Sequence, residues 1–188
     1  LRAFKENDVE LVATCDIIEE RAARRAEEYG DPNTRVIIDY HDLLAIDEIE
    51  LVNVATPPAL HAAMTLDAAA AGKHVLCEKP LATTVADGRA MIDACARAGV
   101  YLGTAFPCRY LPAVARVKEQ VDAGKLGRIL AIAGANRGWM PGGWFVDRAQ
   151  AGGGAVMDHT VHVADLIRWF TGAEFAEVFV EDRRSTSA

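Results

Sequence analysis

Two residues that can do chemistry, Glu78 and Lys79, directly follow the short apolar segment His74–Cys77, and Pro80 comes next. The apolar segment predicts a buried β-strand, and proline cannot continue a strand ladder, so the strand is expected to end here. Ligands of open α/β sheets bind outside the carboxyl ends of the strands, which places Lys79 at a predicted binding crevice. A cis bond before Pro80 would direct the lysine into that crevice. The alternative interpretation is a solvated strand end without a ligand.

A second predicted strand, Glu50–Ala55, ends in the same manner. The residues after it include Thr56, Pro57 and His61, so polar groups follow two successive strands. Because the carboxyl ends of parallel strands lie at one edge of the sheet, we expect these groups to lie near Lys79.

An acidic residue, Asp16, ends the first predicted strand, Val9–Cys15. In a dinucleotide-binding βαβ unit, the acid that binds the adenosine ribose lies about 20 residues after a G-x-G-x-x-G turn. Counting back from Asp16 places this glycine turn before Leu1, so we expect a dinucleotide-binding domain whose first strand and phosphate loop precede the visible sequence. The alternative is that Asp16 only caps the following helix.

A third group lies in AGGGAVMDHTVHVADLIRWFTG, residues 151–172, which predicts a glycine turn followed by a helix. On an α-helix, Asp158, His162 and Asp165 share one face, whereas His159 points about 100° away. Asp158 and His162 can therefore act together in proton transfer, and Asp165 is expected to orient or pack. Because Asp158, His159 and His162 can also bind a metal, metal-assisted hydrolysis is an alternative function.

Short β-branched segments alternate with Ala-rich segments over residues 1–105, which predicts an α/β domain with a Rossmann-type parallel sheet. The two further predicted strands are Val36–Ile38 and Val100–Ala105. The predicted helices are Ile18–Tyr29, Ala59–Ala71 and Val85–Ala98, followed by Gly30, Gly72 and Gly99, each of which predicts a left-handed C-terminal cap. Pro58 suits a first helical turn, and Thr84 with Asp87 is typical of a capping box.

The character of the sequence changes after Ala105, and residues 106–188 predict the start of an α+β domain. Its predicted elements are the helix Ala113–Ala123 and the strands Ile129–Ala135 and Glu177–Glu181. The aromatic and glycine-rich segment 136–145 predicts a long loop.

The composition favours a small-molecule partner. No apolar segment approaches the roughly 20 residues that cross a bilayer, so no membrane partner is expected. The formal net charge is −7 and no basic cluster is present, so no nucleic-acid partner is expected. The four cysteines lack C-x-x-C spacing, which predicts a reducing compartment and a cytoplasmic location.

Several segments together resemble the Gfo/Idh/MocA family of pyridine-nucleotide-dependent oxidoreductases, which act mostly on sugars and cyclitols. These segments are CD (15–16), ATPPALH (55–61), AGKHVLCEKPLA (71–82), GKLGRI (124–129) and GGGAVMDHTVHVADLIRWFTG (152–172). They occur in the order and approximate spacing of that family. The pairing of E-K-P with a glycine-rich segment that leads into D-x-x-x-H is far more specific than a lone glycine motif.

The resemblance implies a catalytic Lys79 and a site with Asp158 and His162, without a metal. The implied cofactor contacts are Asp16, Thr56, Pro57, His61, Glu78, Lys79 and Pro80. Arg109 matches the substrate-side arginine of the family. Among the aromatic residues, Trp139 and Trp144 can stack on a sugar ring, whereas Trp169 and Phe170 are expected to pack.

The predicted function is hydride transfer between NAD(P) and a hydroxyl or keto carbon of a sugar, cyclitol or related polyol. We expect NAD rather than NADP, because the Asp16 carboxylate accepts ribose hydroxyls and repels a 2′-phosphate. His162 is the predicted base and Lys79 the group that binds the reacting oxygen. A non-catalytic ligand-binding or assembly protein is a further alternative. The full-length protein is expected to form a homo-oligomer, a dimer or tetramer.

Overall fold

The computed structural model describes residues 4, 6–136, 138, 142–154 and 156–181. These residues form two compact units. The first unit comprises Leu1–Ala105 and Pro141–Gly154, and the second comprises Phe106–Met140 and Ala155–Ala188. In the described part of the chain, no helix is both long and apolar enough to span a membrane.

The first unit is built on parallel β-strands, which confirms the α/β class. The strands are β1 (Ala13–Cys15), β2 (Arg35–Ile37), β3 (Leu51–Val54), β4 (His74–Glu78) and β5 (Leu102–Ala105). Strand β1 pairs with β2, while β4 lies between β3 and β5, and all pairs are parallel. Val54 lies opposite Cys77, and Cys77 lies opposite Thr104. The carboxyl ends of β3, β4 and β5 therefore lie at one edge of the sheet.

Helices connect these strands and continue into the second unit. They are α1 (Glu19–Tyr29), α2 (Tyr40–Leu44), α3 (His61–Ala70), α4 (Val85–Ala98), α5 (Pro112–Asp122), α6 (Arg148–Ala151) and α7 (Val161–Thr171). A 3₁₀ turn, Pro58–Leu60, precedes α3, so the predicted helix Ala59–Ala71 is divided in two. Proline occupies the start of this turn, as predicted.

Most helix ends agree with the sequence signals. The Thr84 hydroxyl accepts a hydrogen bond from the Asp87 N–H and caps α4, and Gly72 and Gly99 have φ values of 72° and 70°. The left-handed cap predicted at Gly30 is wrong, because its φ is −89°. A Cβ at Gly30 would lie 2.3 Å from the Thr34 hydroxyl oxygen, so glycine is required here for close packing.

The core of the first unit lies between the sheet and its helices. Because alternate strand residues share a face, Val75 and Cys77 of β4 both point into this core. They pack with Ala68 of α3 and Met91 of α4, which are fully buried. This packing holds the end of β4, and with it Lys79, in place.

The second unit contains α5, the 3₁₀ turn Pro107–Tyr110, a π-helical turn at Val156–Thr160 and α7. The strands predicted at Ile129–Ala135 and Glu177–Glu181 are not formed in the structure. Ladder hydrogen bonds come from a neighbouring strand, and the described residues of this unit supply no such neighbour. The apolar residues of these two segments were therefore insufficient to form a strand.

Candidate active site

The polar residues after β3 and β4 lie at the same edge of the sheet. Thr56 follows Val54 by two residues, and Lys79 follows Cys77 by two residues, where Val54 and Cys77 are register partners. The Lys79–Pro80 peptide bond is cis. Lys79 and Glu78 are half-buried, and the Lys79 N–H donates to Glu78 Oε2 at 3.3 Å. The structure thus brings the TPP and EKP segments together.

His61 connects these two segments. Its ring is 1% exposed, with Nδ1 2.9 Å from the Pro80 carbonyl oxygen and Nε2 2.9 Å from the Thr56 carbonyl oxygen. The start of α3 is therefore attached to the ends of both strands. The family resemblance implied a cofactor contact for His61, and nothing in the neighbouring sequence indicated these two backbone partners.

Asp16 lies at the carboxyl end of β1 and is half-buried. Its Oδ1 accepts a hydrogen bond from the Ile18 N–H at 2.9 Å, which closes a turn before α1. Burial raises the pKa of the neighbouring Cys15 thiol, and the carboxylates of Asp39, Asp16 and Asp42 raise it further. The region at the ends of β1 and β2 is therefore acidic. Asp16 thus has the strand-end position of one interpretation, whereas the N-cap residue of α1 is Ile18, which has no side-chain cap.

In the second unit, Asp158 lies in the π-helical turn and His162 in the first turn of α7. The sequence predicted α-helical spacing from Asp158 onwards. This prediction is wrong for Val156–Thr160, because this turn before α7 is π-helical. Asp158 Oδ2 lies 3.5 Å from His159 Nε2, so His159 does not point away from this acid. The His162 ring meets the Phe106 ring edge-on, with centroids 6.4 Å apart.

The surroundings of His159 explain a glycine that the sequence left unexplained. A Cβ at Gly138 would lie 2.0 Å from His159 Cε1, so the histidine ring packs directly on the glycine backbone. The Asn136 side-chain amide also donates to the His159 carbonyl oxygen at 3.1 Å. These contacts favour a packing role for His159.

Arg109 and Asp165 form a bidentate ion pair that the sequence analysis missed. Arg109 Nε donates to Asp165 Oδ2 at 2.8 Å, and Nη2 donates to Oδ1. The hydrogen bond to Asp165 raises the pKa of Arg109. The guanidinium also lies over the rings of Phe106 and Trp169, at 5.8 and 5.6 Å. Asp165 thus orients Arg109. The feature of the sequence that could have indicated this pair is an acidic residue on the buried face of a helix.

Trp144 lies in the first unit, although the sequence assigned its segment to the second domain. It stacks on Phe145 with ring centroids 3.7 Å apart, and the following helix α6 packs against the Pro58–Leu60 turn. Trp139 lies outside the described residues.

Among the residues that are described, no group of three or more His, Cys, Asp or Glu side chains could hold a metal ion. The hydrolytic alternative therefore has no ligand set in that part of the chain.

A parallel sheet with polar side chains at the carboxyl ends of its strands is the architecture of dinucleotide-binding α/β proteins. Residues 1–106 match the oxidoreductase family with an NAD-binding Rossmann fold, and residues 114–188 match the GFO/IDH/MocA C-terminal domain. The chain belongs to the Gfo/Idh/MocA family of oxidoreductases, which confirms the resemblance.

Two curated relatives and one solved structure illustrate the similarity. The 1,5-anhydro-D-fructose reductase of Ensifer adhaerens is 36% identical over 178 residues, which cover 93% of this chain and 53% of the reductase. The levoglucosan dehydrogenase of Pseudarthrobacter phenanthrenivorans is 38% identical over 165 residues, or 85% of this chain and 42% of the dehydrogenase. A structure of levoglucosan dehydrogenase with NADH and levoglucosan has a TM-score of 0.77 at 32% identity, covering 87% of this chain and 45% of that chain. The chain spans about half the length of the curated relatives it matches.

Proposed function

We propose that the full-length protein transfers a hydride between NAD and a hydroxyl or keto carbon of a sugar, cyclitol or related polyol. The observation that carries the proposal is the position of Lys79 at the carboxyl end of β4, beside the end of β3. This edge is where open α/β sheets bind their ligands. The named relatives, a sugar reductase and a levoglucosan dehydrogenase, support the substrate class.

The acidic region at the ends of β1 and β2 supports NAD as the cofactor. The Asp16 carboxylate can accept hydrogen bonds from ribose hydroxyls, as acids at this position do in dinucleotide-binding folds. The nearby carboxylates of Asp39 and Asp42 would repel a 2′-phosphate, which argues against NADP. Backbone atoms of the Thr56 and Pro80 segments would contact the cofactor at the carboxyl ends of β3 and β4.

Lys79, His162 and Asp158 have distinct proposed roles. When bound, NAD supplies the hydride acceptor or donor. His162 takes the proton of the substrate hydroxyl, because imidazole is the side chain that most often serves as a general base. Lys79 donates a hydrogen bond to the reacting oxygen and stabilises its developing negative charge. Asp158 positions the substrate or orients the imidazole, and Arg109 and Trp144 contact the substrate.

Substitution of the two central residues tests the proposal. In the full-length protein, Lys79→Ala and His162→Ala should each lower kcat on the order of 10²-fold, with NADH affinity largely intact. Stopped-flow reduction of NAD with a panel of sugars and polyols measures kcat, and NADH fluorescence measures binding. Lys125→Ala, at an exposed lysine of the second unit, is the matched control and should keep wild-type kcat.

The outcomes separate the alternatives. Near-normal turnover of His162→Ala would indicate that Lys79 is the base. Near-normal turnover of both variants would refute the proposal that these residues catalyse hydride transfer. A wild-type protein that binds NADH but oxidises no alcohol in the panel would favour the non-catalytic alternative.

We also propose a homo-oligomeric state, a dimer or tetramer, and a cytoplasmic location for the full-length protein. The reducing environment is supported by Cys15, Cys77, Cys95 and Cys108, which are all free thiols. Sedimentation velocity tests the oligomeric state, and cell fractionation tests the location.

A further inference from the structure

His61 makes two backbone contacts that span the gap between the ends of β3 and β4. Thr56, whose carbonyl oxygen faces Nε2, precedes His61 by 5 residues, and Pro80, whose carbonyl oxygen faces Nδ1, follows it by 19 residues. With an exposed fraction of 1%, the ring is enclosed between these segments. One of the two anchored residues, Pro80, is the direct neighbour of Lys79.

The chemistry of these contacts leaves the ring no free nitrogen. Both partners are carbonyl oxygens, which only accept hydrogen bonds, so a ring N–H must supply each bond. A neutral imidazole has one N–H, and an imidazolium has two and can hold both carbonyls. In either form, both nitrogens face the backbone at 2.9 Å. The ring of His61 is therefore directed at the protein and not at a ligand.

We propose that His61 is a positioning residue for the reaction, not a cofactor contact. It holds the Pro80 carbonyl against the Thr56 segment and thereby sets the position of the Lys79 side chain. This inference rests on the proposed function, in which Lys79 binds the reacting oxygen. A displacement of about 1 Å at a catalytic group can cost on the order of 10²-fold in rate. Loss of His61 is thus expected to lower kcat much more than it lowers NADH affinity.

Two variants of His61 and one matched control test this role in the full-length protein. His61→Phe retains a ring but removes both nitrogens, and we expect kcat per NADH-binding site to fall by about 10-fold to 100-fold. His61→Gln retains a side-chain N–H donor and should recover part of this loss. The control is His74→Phe, at the other end of β4, where Nδ1 accepts a hydrogen bond from the Tyr101 N–H. This variant should keep wild-type kcat per site.

The kinetic result can overturn the proposal in two ways. Wild-type kcat per NADH-binding site in His61→Phe would exclude a positioning role. A loss of NADH affinity as large as the loss of kcat would instead indicate a cofactor contact.

Hydrogen–deuterium exchange supplies a measurement that needs no turnover. The peptide that contains residues 78–84 should exchange faster in His61→Phe than in the wild type, and His74→Phe should leave its exchange unchanged. Equal exchange in His61→Phe and the wild type would overturn the role of His61 whether or not the protein transfers hydride. A wild type without turnover, combined with faster exchange in His61→Phe, would refute the proposed function alone.

Discussion

The buried ion pair between Arg109 and Asp165 is predicted to stabilise the second unit. The Asp165 side chain is 2% exposed and the Arg109 side chain is 34% exposed. Removing one partner of a buried pair costs about 3–5 kcal/mol, because the remaining charge stays buried without a counterion. Water can reach part of the site through the exposed third of the Arg109 side chain. We therefore expect Arg109→Met to lower the free energy of unfolding by about 3 kcal/mol, the lower end of this range.

Helix α7 also provides a matched control. Arg168 and Glu174 form a second bidentate pair, but their side chains are 48% and 75% exposed. Exposed pairs contribute about 0–1 kcal/mol, so Glu174→Gln should change the free energy of unfolding by less than about 1 kcal/mol. The double variant Arg109→Met/Asp165→Leu removes both buried charges. It should recover most of the loss, because apolar replacement of a whole buried pair is often neutral.

Urea unfolding measures these free energies. Tryptophan fluorescence is a suitable signal, because the Trp169 ring lies 5.6 Å from the Arg109 guanidinium. Linear extrapolation of the transition gives the free energy of unfolding in water. Equal losses in Arg109→Met and Glu174→Gln would refute the argument from burial. A double variant as unstable as Arg109→Met would show that lost packing, and not the uncompensated carboxylate, causes the effect.

Two further predictions concern the first unit. Asp16→Ala in the full-length protein should lower the preference in kcat/KM for NAD over NADP on the order of tenfold. The reason is that a unit charge at about 4 Å contributes about 1 kcal/mol even in water. Comparable kcat/KM of the wild type with both cofactors would contradict this prediction. Burial raises the pKa of Cys77 to about 12, so the folded protein should resist alkylation of Cys77 by iodoacetamide at pH 9 and react readily in urea. Mass spectrometry of the labelled peptide measures this, and fast labelling of the folded protein would contradict the packing of β4.

The sequence by itself determined the features that depend on near neighbours in the chain. The helix Val85–Ala98, its Thr84 cap and the left-handed Gly99 were all predicted at the observed residues. Capping and helical periodicity arise from contacts within a few residues, so a short segment contains the necessary information. The strand-end position of Lys79 likewise follows from an apolar segment that proline terminates.

Only the tertiary structure decided which distant groups meet. The two carbonyl partners of His61 and the pairing of Arg109 with Asp165, 56 residues away, depend on how separate elements pack. The strand predicted at Ile129–Ala135 failed for the same reason, because a strand needs hydrogen bonds from a neighbour that its own residues cannot supply. The sequence thus identified residues that can do chemistry, whereas the packing determined which of them contact one another and which contact the backbone.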